Sequence, residues 1–315
     1  MVKQYLQGWR CESRALHIRR CMNEWTLEQT EDFRMSSLLL HFDGDITHDH
    51  TVSLRTLGKA LTHLQAAVNR AHLDLRYGEV WKGARLQKED YEATELWSRP
   101  PQEGGYIIDF INDSPQIKKT LTRMINAITP TVERSQQKAI VAAGSLAQQS
   151  DIAKQRIDSG IIQPEQLADY MPRANQRPYG DRAINKEIDL LISVVRTPNA
   201  GQSTIEIVIG GDQSSTFKFN RQESEAFHSY VSTRQLGEPF IISANLRELD
   251  AKNKSGRIVN LITGREIKMT FTDDSFGQIK PFLGSPDIMS FIGCPIYEGG
   301  TFDIHGGDIF FLRLV

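Results

Sequence analysis

The sequence lacks long hydrophobic runs and has few cysteines. Its longest apolar stretches, such as Tyr106 to Ile111, are far shorter than the ~20 residues that a membrane-spanning helix needs, so we expect no membrane insertion. The three cysteines, Cys11, Cys21 and Cys294, show no C-x-x-C spacing and leave an odd thiol. This number and spacing argue against a disulfide framework or a zinc ribbon and favour a reducing cytoplasm.

The sequence also lacks the short motifs that mark common enzymes. It contains no G-x-S-x-G, no G-x-x-x-x-G-K-S/T and no G-x-G-x-x-G. The glycine pairs that begin at Gly210, Gly299 and Gly306 fit hairpin turns better than phosphate-binding loops. We therefore predict no cofactor, and the absence of a convergent motif favours a binding or assembly protein over an enzyme.

The composition is that of an ordinary globular protein. Of its 315 residues, 39% are hydrophobic and 24% are charged, and this length is sufficient for two domains. The formal net charge is −2, so a surface that binds a polyanion would have to be local and not a property of the whole molecule.

The clearest structural pattern lies in the last part of the chain, where five strand-like runs and one helix-like run alternate with turn residues. The order β-β-β-α-β-β predicts a five-stranded OB-like barrel, a fold that often binds oligonucleotides or oligosaccharides. From residue 239 onward, eight Lys or Arg stand against nine Asp or Glu, which favours a structural or protein-binding use over a nucleic-acid groove. The predicted strands are Pro239–Leu246, Gly256–Ile262, Arg265–Thr272, Asp287–Tyr297 and Asp308–Val315.

The first half of the chain predicts strands and long helices. Ser37–Phe42 is typical of a strand, and a helix beginning near Thr51 carries apolar residues at alternating spacings of three and four. Such a seam indicates core packing, with a dimer seam as the alternative. Two further strand-like runs, Ala84–Ser98 and Tyr106–Asn112, predict a hairpin, and a mainly helical region over 114–159 follows with Pro130 as a break or kink.

These elements predict an α+β protein with two domains. An N-terminal α+β domain with long helices spans 35–163, a linker spans 164–182, and a β-rich domain that ends in the barrel spans 183–315. In this second domain, a hairpin turns at Gly210 and a helix covers Arg221–Thr233. Residues 1–34 lack the features of an export signal. We interpret them as an extension upstream of a true start at Met35, because the first strand begins just after Met35 and their apolar residues sustain no single period; a docking arm is the alternative.

A cluster of polar residues at the end of the first strand and before the helix supplies the sharpest enzyme hypothesis. Imidazole and carboxylate ligands suit Zn, Mn or Fe, and a metal held there would activate water for phosphodiester hydrolysis. The alternative is a polar strand-to-helix loop in which these residues form turns and caps. The candidate metal ligands are His41, Asp43, Asp45 and His48.

The helical region over 114–157 is locally basic, with seven Lys or Arg against two Asp or Glu. On a continuous helix, at about 100° per residue, four of these cations share one arc opposite an apolar stripe. This stripe predicts contact with DNA or RNA phosphates, and the alternative is a solvated helix face. The predicted nucleic-acid-binding residues are Lys119, Arg123, Arg134 and Lys138.

Together these patterns predict a cytoplasmic, non-enzymatic binding or assembly protein. Its expected partners are DNA or RNA, another protein, or a second copy of the chain. A subunit of a bacterial phage-defence or mobile-element system would fit this prediction. The alternative is a metal-dependent phosphodiesterase or nuclease that uses the histidine and aspartate cluster.

Overall fold

This computed structural model of the chain describes residues 37–78, 80, 84–100, 106–137, 144–169, 178–303 and 306–315. The predicted extension at residues 1–34 lies outside these ranges, as do Lys138 and residues 170–177 of the predicted linker.

The described residues form α-helices and β-strands in a mixed α+β arrangement, as the sequence predicts. The helices are α1 Leu54–Tyr77, α2 Lys88–Ala93, α3 Pro115–Gln136, α4 Leu146–Asp158, α5 Tyr179–Ile192, α6 Arg221–Ser232 and α7 Phe276–Ile279. The strands are β1 Ser37–Asp43, β2 Thr47–His48, β3 Thr51–Val52, β4 Trp97–Ser98, β5 Tyr106–Ile111, β6 Glu165–Gln166, β7 Thr204–Gly210, β8 Ser214–Phe219, β9 Arg234–Leu236, β10 Phe240–Asp250, β11 Ser255–Asn260, β12 Glu266–Thr270, β13 Met289–Glu298 and β14 Ile309–Leu314.

An antiparallel sheet in the order β4-β5-β1-β7-β8 forms the base of the first part of the molecule. On β1, Leu38, Leu40 and Phe42 are fully buried while the intervening residues face away from the core, which is the alternation of a strand with one covered face. The sequence groups β7 and β8 with the C-terminal domain, whereas in the structure they pair beside β1. The sheet therefore joins residues from both sides of the predicted linker, and the linker itself stays a prediction.

Four helices, α1, α3, α5 and α6, share one hydrophobic core with the buried face of this sheet. Helix α1 begins after Ser53, whose side chain accepts a hydrogen bond from the Thr56 N–H at 3.2 Å. The predicted apolar seam of α1 is buried in its middle, as at Leu64 and Val68, but Leu54 at one end is 84% exposed. The seam is therefore mainly a core contact.

Pro130 lies inside α3 and does not end it. Proline has no N–H, so the carbonyl of Asn126, one turn earlier, loses its helical donor. Asn126 is on the exposed side of the helix, where water can replace that donor. The helix therefore continues to Gln136.

The closed five-stranded barrel predicted from the sequence is confirmed. Its strands follow the order β10-β11-β12-β14-β13, and the pairing of β10 with β13 closes it. Strands β12 and β14 run parallel, and the short helix α7 lies between β12 and β13 in the chain. The interior is filled by fully buried side chains that include Phe240, Ile258, Met269, Phe291 and Phe311.

One predicted strand is wrong. Most of the run Ala84–Ser98 does not form a strand, because residues 88–93 form helix α2 and only β4 at its end pairs with β5. Gln87 and Asp90 form a reciprocal capping box at the start of α2, and the Gln87 N–H donates to Asp90 at 2.7 Å. This cap favours a helical turn over an extended run.

Candidate functional site

The predicted metal ligands lie at the end of β1 and in the residues just after it, but they are not brought together. His41 faces Glu206 across the β1–β7 pair, with Nδ1 4.0 Å from Oε2. Asp45 accepts a hydrogen bond from the Gln202 N–H at 2.9 Å, and Asp43 accepts one from the Gly44 N–H at 2.8 Å. The His48 side chain is 93% exposed. Across the described part of the chain, no three His, Cys, Asp or Glu side chains form a group that could hold a metal ion.

The described residues of the predicted basic stripe do not share one exposed surface in the structure. Arg123 is buried between two carboxylates, with Nε 2.6 Å from Asp74 and Nη2 2.6 Å from Asp181, and only 14% of its side chain is exposed. Lys119 and Arg134 are exposed, and Arg134 donates to the Tyr230 hydroxyl at 3.3 Å. The helical angle alone grouped these residues, but the neighbouring helices α1 and α5 cover Arg123.

Arg134 lines a cleft of about 400 Å³ that we name the arginine cleft. Helix α4 forms one wall and the segment 235–239 with the end of β13 forms another. Arg134 and Arg156 reach it from two different helices. The residues that line it are Arg134, Gln149, Ile152, Ala153, Arg156, Ile162, Gln235, Leu236, Gly237, Glu238, Pro239, Tyr297 and Gly300.

The polar groups of the arginine cleft differ in how firmly they are held. Gln149 Oε1 accepts a hydrogen bond from the Leu236 N–H at 2.8 Å, which fixes α4 against β9. Arg156 Nη1 lies 3.7 Å from Glu238 Oε1, and both side chains are partly exposed, so this ion pair is weak. The half-buried Tyr297 ring packs edge-on against Phe302, with ring centroids 5.7 Å apart. Two guanidinium groups, one carboxylate, one aromatic ring and two side-chain amides therefore border one space.

A second concave surface, the barrel groove, has a volume of about 710 Å³ and lies along β11 and β12. Arg257 is held between two glutamates, with Nε 3.2 Å from Glu248 and Nη1 2.5 Å from Glu266. Its lining contains three basic and four acidic residues and, within the described residues, no aromatic ring. These are Glu248, Leu249, Asp250, Ser255, Gly256, Arg257, Arg265, Glu266, Ile267, Lys268, Gly306 and Asp308.

The two surfaces thus differ in the charged groups and aromatic rings that line them. The arginine cleft offers cations and a ring, which suits a phosphate-bearing ligand with an aromatic base. The barrel groove has mixed charge and suits a ligand that carries both donors and acceptors. Sequence reasoning identified Arg134 but missed Arg156 and Tyr297, because they belong to a second helix and to a barrel strand.

The fold defines the chain as an α+β protein with an OB-like barrel. Comparison with protein-family models, with curated proteins and with solved structures finds no significant match. Among the helices of the described ranges, none is long and apolar enough to cross a membrane.

Proposed function

We propose that this chain is a non-enzymatic binding protein that contacts single-stranded nucleic acid at the arginine cleft. The observation that carries the proposal is the convergence of Arg134 from α3 and Arg156 from α4 on one space. Its volume of about 400 Å³ falls within the usual range of ligand sites, roughly 300–1,000 Å³.

The chemistry of the cleft suits a nucleotide strand. A guanidinium presents paired N–H donors that match the oxygens of a phosphate. The weak contact between Arg156 and Glu238 leaves Arg156 able to exchange a carboxylate for a phosphate. The Tyr297 ring offers a face on which a base stacks, and stacking of this kind is tolerant of sequence. Single strands are favoured because a stacked base must be unpaired.

The test is fluorescence anisotropy of the full chain with labelled single-stranded DNA and RNA at ~50 mM salt, where phosphate contacts are strongest. The double variant Arg134→Gln, Arg156→Gln should lose most of the affinity for all sequences alike. The magnitude of its log-log salt slope should fall by about 1.4, because two phosphate contacts of ~0.7 each are removed.

The matched control is the double variant Arg221→Gln, Arg247→Gln, which removes two exposed arginines that do not line the cleft. It should bind as the unmodified chain does. If the unmodified chain fails to bind either strand at ~50 mM salt, or if both double variants lose affinity equally, the proposal is wrong.

A further inference from the structure

We infer that the outer edge of β12 binds an extended peptide from a protein partner. This edge borders the barrel groove and lies apart from the arginine cleft, so the inference goes beyond the proposed contact with nucleic acid. It rests on the pairing of β12 with its two neighbours.

The two edges of β12 are paired to different extents. On one side, β11 pairs along the whole strand, from Val259 opposite Glu266 to Ser255 opposite Thr270. On the other side, β14 pairs only with Met269 and Thr270. In the ranges that the structure covers, no strand pairs with this outer edge over residues 266–268. Three of the five residues of β12 therefore lie on an open edge.

The hydrogen bonds at both ends of the β11–β12 pair fix which backbone groups face the groove. The Asn260 N–H donates to the Arg265 carbonyl at 3.0 Å, and the Phe271 N–H donates to the Lys254 carbonyl at 3.0 Å. In an antiparallel pair, residues alternate between facing the partner and facing away. The backbone N–H and C=O groups that point towards β11 are therefore those of Arg265, Ile267, Met269 and Phe271. The backbone groups of Glu266 and Lys268 point the other way, towards the open edge.

The space beside this edge suits a peptide strand. The groove of about 710 Å³ has residues 265–268 in its lining, together with Gly306 and Asp308 from the loop before β14. An added strand would form main-chain hydrogen bonds with the N–H and C=O of Glu266 and with the N–H of Lys268. The Lys268 carbonyl lies where the parallel pairing with β14 begins.

The charge of Lys268 favours a peptide that carries an acidic residue. Across the outer face, Arg257 already pairs with both Glu248 and Glu266, so its charge is taken up by these two carboxylates. Lys268 is exposed, and among the described residues no ion-pair partner is found for it. A side chain directly opposite on an added strand would lie about 5 Å away between Cβ atoms. An Asp or Glu at that position would pair with Lys268.

A peptide fits this groove better than a nucleic acid does. Four acidic residues outnumber three basic ones in the lining, and the described lining offers no ring for base stacking. The alternative role for the charged residues of β12 is protective, because charges on an edge strand prevent pairing between sheets. If they have that role, the edge binds no peptide.

To test the inference, peptides that bind the full chain are selected from a displayed library of random short peptides. The affinity of each selected peptide is then measured. Selected peptides should carry an acidic residue at one fixed position. Their affinity should fall about fivefold or more when the amides that face β12 are N-methylated, because main-chain hydrogen bonds are lost. Hydrogen exchange at the Glu266 and Lys268 amides should slow on binding.

The variant Lys268→Glu should weaken the acidic peptides and favour the same peptides with Lys in place of the acid. The matched control Lys280→Glu reverses an exposed charge outside the groove and should change neither affinity. Selection of no peptide, or peptides insensitive both to N-methylation and to Lys268→Glu, would overturn the inference. Nucleic-acid affinity should be the same in Lys268→Glu, so failure here is distinguishable from failure at the arginine cleft.

Discussion

The guanidinium Nε of Arg123 lies 2.6 Å from Oδ2 of Asp74, and this contact joins α3 to α1. The same guanidinium donates to Asp181 at the start of α5, so one side chain links three helices. Burial alone would lower the pKa of Arg123, but the two carboxylates raise it above its ordinary value. The residue therefore stays charged and acts within the fold.

We expect the variant Arg123→Gln to destabilise the chain by about 3 kcal/mol, because two mostly buried carboxylates would lose their partner. The measurement is the free energy of unfolding from urea titration. Lys119→Gln, at an exposed position on the same helix, is the control and should change it by less than about 0.5 kcal/mol. Equal and small effects of the two variants would mean that Arg123 is a solvated cation after all.

This residue shows where sequence reasoning reaches its limit. The spacing of Lys119, Arg123 and Arg134 correctly places them away from the apolar stripe of α3. A helical angle describes one helix alone, however, and cannot show that Asp74 and Asp181 approach from two others. The spacing along the chain likewise cannot show that Arg134 and Arg156 line one cleft. Their two helices come together only through packing on the core and the barrel.

The barrel, in contrast, was predictable because its signals are local. Alternating apolar residues and turn glycines define each strand, and neighbouring strands β10, β11 and β12 are joined by short connections. The partnership of β1 with β7 has no such signal, because more than half of the chain separates them. The prediction of a strand over residues 84–98 was wrong because the buried Asp90 caps α2 and hydrogen-bonds to α1. The alternation of apolar and polar residues in the sequence does not reveal these contacts.

Asp90 gives a prediction about pH. Burial raises its pKa, but the hydrogen bonds from the Gln87 N–H, His72 and Arg76 outweigh this and hold the pKa below the usual 3.8. A carboxylate with a lowered folded pKa stabilises the fold above its unfolded pKa, and this contribution is lost as pH falls through the folded value. Stability from Asp90 should thus be complete at neutral pH and decline below about pH 4.

The variant Asp90→Asn removes this ionised acceptor. At pH 7 we expect its free energy of unfolding to be lower by about 2 kcal/mol, the range of hydrogen bonds to charged groups. The difference from the unmodified chain should shrink as the pH is lowered below about 4, measured by urea titration at several pH values. A difference that stays constant over this range would contradict the role given to the Asp90 charge.

Cys294 should be unreactive in the folded chain. It lies on β13, fully buried, and burial together with the nearby Glu238 charge raises its pKa to about 12. The nucleophilic thiolate is therefore scarce at pH 8, and reagents cannot reach it. In a chain carrying Cys11→Ser and Cys21→Ser, a thiol reagent should label Cys294 only at the rate of unfolding. Fast labelling without denaturant would show that β13 opens locally.

The Tyr297 ring in the arginine cleft occupies space that a side chain at Gly237 would fill. A Cβ at this position would overlap the Tyr297 ring and lie 2.6 Å from Cγ of Pro295. Gly237 is also held by its N–H, which donates to the Pro295 carbonyl at 2.8 Å, so the backbone cannot easily retreat. An alanine there must displace the ring.

We therefore expect Gly237→Ala to weaken single-strand binding by about fivefold or more, the lower end of what one stacked base contributes. Overpacking should also lower the free energy of unfolding by about 1–3 kcal/mol. The matched control is Gly58→Ala on the exposed side of α1, where a Cβ meets no atom within 4 Å. That variant should raise stability by up to about 1 kcal/mol, since alanine favours helix, and leave binding unchanged. Full binding by a destabilised Gly237→Ala chain would show that Tyr297 packs beside the cleft without contacting the ligand.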